Sequence, residues 1–127
     1  MNKEKLMQIT MFLLRVISGL LLLQHGGQKL FGWFGGTGWS ELSTLIMVAG
    51  VLEFFGGMVL VLGVFTRPIA FLLSGFMAVA YFTVHFPIGF WPIANGGDLA
   101  VLFAFVSLFF AFHGAGKWSL DHKFHRK

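Results

Sequence analysis

The chain has 127 residues, of which 57% are hydrophobic and 11% charged, with a mean hydropathy of +0.82. A soluble domain carries about 25% charged residues, so the composition excludes most soluble enzymes and all disordered segments. The net charge of +4 comes mostly from connections and tails, where a membrane protein keeps its topology signals, so no nucleic-acid partner is expected.

Zero Cys further excludes disulfides, zinc–thiolate sites, Cys-ligated iron–sulfur clusters and thiol catalysis. A membrane helix needs about 20 mainly apolar residues to cross ~30 Å of hydrocarbon. The first such run covers about 8–31 and is apolar except for Arg15, Gln24, His25, Gln28 and Lys29. Lys3 and Lys5 give it the start of a secretion signal, but Arg15 interrupts the apolar stretch and no small-x-small site follows. It is therefore expected to remain as a span. Residues 32–41 hold four Gly and two Trp. They match a phosphate cradle only in composition, without a Walker pattern, which excludes nucleotide binding.

The second run, about 42–65, carries one charge near its middle, Glu53. Gly50, Gly56, Gly57 and Gly63 dot it, with Gly19 on the first run; small residues let membrane helices approach closely. The third run starts at Pro68, a favoured first-turn residue, and reaches about 85. Pro87, Pro92 and the turn signal Asn95, Gly96, Gly97 mark the next connection, 86–97. The fourth run, about 98–113, is rich in Leu, Val, Ala and Phe. Ser18, Ser74 and Ser107 lie inside apolar helices and are expected to bond back to their own backbones, not to serve Ser-His-Asp catalysis.

Short links between long helices favour antiparallel neighbours, hence an all-α, up-down transmembrane four-helix bundle, a single domain over 1–127. Both termini and the second turn then share one side. That side holds Lys3, Lys5, Arg67, Lys117, Lys123, Arg126 and Lys127, seven of the nine basic residues, which places both termini in the cytoplasm.

Two groups of polar residues fall at membrane depth. Arg15 and Glu53 each cost about 2.5–3.5 kcal/mol to insert. They lie about 10 and 18 Å from the inner edge, a gap that a long Arg side chain closes. The pair is expected as a structural ion pair between the first two helices, or Glu53 acts as a proton carrier or ligand group. The second group lies at the outer end. His25 neighbours Gln28 and Lys29 on one helix, and Tyr81 neighbours His85 on another; Asp98 opens the fourth run at the same depth. Four readings stand for this cluster: an interfacial polar network, donors for a quinone head group beside an apolar slot, bis-His haem ligation by His25 and His85, and a metal site from His25, His85 and Asp98.

These residues also carry a family resemblance. The run His25, Gly26, Gly27, Gln28, Lys29, Leu30, Phe31, Gly32 resembles the H-G-x-x-K-x-x-G stretch of the DoxX family. The resemblance continues through Glu53 with Gly56 and Gly57, through Leu62 to Arg67, and through Tyr81 and His85. It closes with Asn95 to Ala100 and Gly114 to Asp121, and so covers nearly the whole chain. The family often has Glu where this chain has Asp98. The resemblance implies a multi-pass protein of a bacterial or archaeal cytoplasmic membrane, linked to respiratory or sulfur redox chemistry. Some relatives are described as subunits of a quinol oxidase or a thiosulfate:quinone oxidoreductase, although fold does not imply function.

Two functions follow. One is a quinone-linked oxidoreductase component or respiratory accessory subunit, with His25, Gln28, Lys29, Glu53, Tyr81, His85 and Asp98 as ligand or proton-relay residues. The other is a non-enzymatic transporter or assembly subunit. Either works with the lipid bilayer, and with redox partner subunits or a second copy of the chain.

Overall fold

The computed structural model describes residues 1–125, with every side chain except that of Glu41. Arg126 and Lys127, counted above on the basic side, lie outside the described residues. Among these the chain is all helical, without strands: α1 Lys3–Phe31, α2 Thr44–Leu62, α3 Thr66–Ala80, α4 Pro92–Asn95, α5 Asp98–His113 and α6 Leu120–Lys123. Three apolar helical stretches are long enough to cross a membrane, Lys3–Phe31, Thr44–Leu62 and Thr66–Ile88, and α5 is a shorter one. The set is compatible with a membrane helical bundle.

Local chemistry sets the boundaries. Asn2 caps α1 by accepting from the Lys5 N–H at 2.8 Å, and Gly32 ends it at φ 73°, a backbone state glycine tolerates best. The second helix stops three residues before the expected end. Gly63 turns left-handed at φ 67°, and its N–H bonds back to Val59 and Leu60. The third helix begins two residues before Pro68 and does not end at His85. It widens into a π-helical turn, Tyr81–His85, then tightens into a 3-10 turn, Phe86–Ile88. Pro87 has no N–H to continue an α ladder. The fourth span, α5, keeps its expected bounds. The short α6 in the C-terminal tail is an element that the apolar pattern does not announce.

The helices pack as two hairpins. One is α1 against α2 and the other α3 against α5; α2 touches α3 more lightly and α1 barely meets α5. Glycine sets the first contact. A Cβ on Gly19 would lie 2.6 Å from the Gly57 carbonyl oxygen, and one on Gly26 would lie 2.7 Å from Phe54 Cα. In the second hairpin the Ser74 hydroxyl donates to the Ala104 carbonyl on α5 at 2.7 Å. Ser74 thus bonds across the helix pair and not to its own helix. Leu22, Leu60, Leu73, Ala70 and Phe110 are buried between the elements, while Phe71, Phe105 and Phe112 face outward, as lipid contact requires.

The expected Arg15–Glu53 pair does not form. The antiparallel register places Gly19 beside Gly57, so Arg15 falls level with the end of α2. Glu53 is seven residues short of Leu60, about 10 Å along the helix. Arg15, 1% exposed, donates Nε to the Leu60 carbonyl at 2.9 Å, Nη2 to the Trp118 carbonyl at 2.9 Å, and Nη1 to the Ala115 carbonyl. It ties the end of α2 to the segment that follows α5 through buried backbone carbonyls. Two more residues do similar work nearby. The Asp121 carboxylate accepts from the Phe65 and Thr66 N–H groups at the start of α3, at 2.8 and 2.9 Å. Arg67 donates to the Phe112 and His113 carbonyls at the end of α5. Lys117 bridges to Glu4 at 3.0 Å, so the C-terminal segment closes against the start of α1, and both ends of the chain lie at one end of the molecule.

Candidate functional site

His25 and Lys29 stand one turn apart near the end of α1. The glycine contact at Gly26 draws α2 close enough for Glu53 to reach Lys29. The Lys29 ammonium donates to Glu53 Oε2 at 2.7 Å. Lys29, not Arg15, is therefore the partner of Glu53. The Glu53 side chain is 10% exposed, and an unpaired carboxylate at this depth is costly; the pairing removes that cost.

A cleft of about 460 Å³ opens here between the two hairpins. His25 and Lys29 of α1, Glu53 of α2 and His85 at the end of the π-helical turn line it. Its walls are apolar, with Leu22, Ala49, Phe76, Met77, Leu99 and Phe103 among them. A few polar groups in an apolar concavity are the usual make-up of a small-molecule site. The chemistry available is a cation–carboxylate pair and two imidazoles, one on each hairpin.

The other three expected residues lie elsewhere. Gln28 faces the 32–41 loop, where its Cγ leaves no room for a side chain at Gly36. Tyr81 is buried and belongs to a supporting layer: its hydroxyl accepts from Asn95 Nδ2 at 3.0 Å, and its ring stacks on His85. Asp98 is exposed in the first turn of α5, where a carboxylate suits the positive helix end. Among the described residues no three His, Asp or Glu side chains gather as metal ligands, so His25, His85 and Asp98 do not form the metal site considered above.

Asn95 escaped the sequence reading, which took it only as a turn residue. It is buried; Nδ2 also donates to the Gly89 carbonyl at 2.8 Å, and Oδ1 accepts from the Gly97 N–H at 2.8 Å. Its backbone oxygen lies 3.1 Å from His85 Nδ1. Arg67 and Asp121 were also missed as capping residues. For Arg67 a signal was present, a charge four residues after Gly63 at the end of α2; for Asp121, far along the chain from the helix start it caps, none was.

The family model of DoxX matches residues 10–86, a stretch that includes His25, Lys29, Glu53 and His85. An uncharacterized protein of Haemophilus influenzae (strain ATCC 51907 / DSM 11121 / KW20 / Rd) is 41% identical over 133 residues, covering 99% of this chain and 98% of that protein. No solved structure matches the chain.

Proposed function

This membrane protein belongs to the DoxX family, and from that premise we propose that it is a quinone-binding component of a membrane redox system, seated in the cytoplasmic membrane with both termini inside. The observation that carries the reading is the cleft between the hairpins, with its Lys29–Glu53 pair and two histidines set in apolar walls. A lipid-soluble head group needs one or two hydrogen bonds at membrane depth and an apolar slot for its body. Lys29 donates to an oxygen of the head group. His25 stands beside it as the group that holds or releases a proton. When bound, the quinone supplies coupled electron and proton transfer; the partner that gives or takes the electrons is a redox subunit outside this chain.

A specific observation favours the second reading, a small transporter: an ion pair between a lysine and a carboxylate at membrane depth is a frequent element of solute and proton pathways. The two readings separate in one preparation. Protein purified in mild detergent is extracted for lipid, its absorption spectrum recorded, and a short-chain benzoquinone titrated against it. The expected outcome is quinone near one per chain, and binding that weakens about tenfold or more in Lys29→Ala, the loss of one charge-assisted hydrogen bond. Protein with no quinone and no affinity for the probe overturns the reading. A Soret band points to haem at the histidines, and solute-dependent flux abolished by Glu53→Gln points to transport.

A further inference from the structure

His85 holds more information than its place in the cleft. It is the last residue of a π-helical turn, an insertion that re-aims side chains and is frequent at functional sites. Its Nδ1 faces the Asn95 carbonyl oxygen at 3.1 Å. A carbonyl oxygen only accepts, so Nδ1 carries the hydrogen, and in the neutral ring Nε2 is then a bare acceptor. Nε2 has no partner among the described residues. Glu53, on α2, uses Oε2 for Lys29, and its Oε1 likewise has no partner among the described residues. Neither atom is sealed away, because the buried side-chain polar atom left unpartnered there is Thr66 Oγ1. Two residues that carry an unpartnered acceptor, Glu53 on α2 and His85 at the end of the π-helical turn, therefore line one apolar cleft. A ligand whose oxygens are all carbonyls leaves both unpaired, whereas one that brings O–H groups satisfies them.

We propose that His85, oriented by the Asn95 carbonyl, makes the cleft selective for the hydroxylated, quinol form of an aromatic head group over the same body without O–H groups. This rests on the quinone-site reading above. Asn95 acts through His85 and is a positioning residue. Its own side chain is tied to Tyr81, Gly89 and Gly97, which holds the carbonyl in place.

The test uses the full chain in lipid nanodiscs and three probes under anaerobic conditions: a short-chain benzoquinol, its dimethyl ether and the matching quinone. The quinol is expected to bind about tenfold or more tightly than either other probe, the effect of unpaired buried acceptors. His85→Phe is expected to narrow the quinol's advantage severalfold by removing one of the two acceptors, with Glu53 Oε1 holding the remainder. Nitrogen NMR of His85 in the wild-type protein is expected to show hydrogen on Nδ1 and none on Nε2 at alkaline pH. Asn95→Ala is expected to mix the two tautomers. Equal wild-type affinities for the three probes, or hydrogen on Nε2, overturn the selectivity and leave the binding site standing. No affinity for any probe overturns both.

Discussion

At the scale of the residue, Arg15 shows how a buried charge is made tolerable in this chain. Its guanidinium reaches the Leu60, Ala115 and Trp118 carbonyls, and its planar fork suits several acceptors at once. A lysine carries a compact ammonium and cannot serve three separated carbonyls from one position. Arg15→Lys is therefore expected to lower stability by about 2–4 kcal/mol through unsatisfied buried acceptors, read as a lower unfolding midpoint in detergent. The tail from Gly114 onward should also become open to protease, because Arg15 is one of its ties. A midpoint unchanged from wild type would show that these bonds contribute nothing. The sequence marked Arg15 and Glu53 as charges in need of partners. It did not say which, because backbone carbonyls carry no side-chain signature.

At the scale of the element, glycine decides how α1 meets α2. The Gly19 and Gly57 backbones come so close that a Cβ on Gly57 would lie 2.5 Å from the Gly19 carbonyl oxygen. Backbone on both sides leaves nothing flexible to yield. Gly57→Ala is expected to cost about 1–3 kcal/mol by overpacking, with the helices forced apart and the Lys29–Glu53 distance lengthened. Gly75 on α3 is the control, since a Cβ there meets nothing within 4 Å. Gly75→Ala is expected to be neutral or mildly stabilising from helix propensity, and equal thermal loss in the two variants would refute the contact argument. The sequence showed the small residues but not which pair faces which. That register moved Arg15 away from Glu53 and put Lys29 in its place. The end of α3 was also hidden, since the apolar run is the same whether its last turns are α or π.

At the scale of the whole molecule, the proposed orientation rests on the charge asymmetry. Lys3, Lys5, Arg67, Lys117 and Lys123 gather where the two chain ends meet, at the Lys117–Glu4 bridge. The opposite end carries Trp33, Trp39 and Trp91, all exposed, as interfacial anchors. The chain has no Cys, so single introduced thiols report without background. Lys3→Cys and Lys123→Cys are expected to react with a membrane-impermeant reagent only after the cytoplasmic side is opened. Thr37→Cys is expected to react from outside in intact cells. Reaction of the first two in intact cells would invert the topology and move the cleft mouth to the cytoplasmic half.

What the sequence determined by itself is the membrane setting, the number of apolar helices and the identity of most polar residues that line the cleft. Each of these depends on composition or on local period, and both are properties of a chain segment alone. What only the tertiary structure decided is which residues share a space. His25, Lys29, Glu53 and His85 line one cleft because two hairpins lean together. Gln28, Tyr81 and Asp98, at similar depth, turn to a loop, to a supporting layer and to the surface. Depth along a helix follows from counting residues. The angle around it and the register against a neighbour follow from packing, which here rests on backbone contacts at glycine.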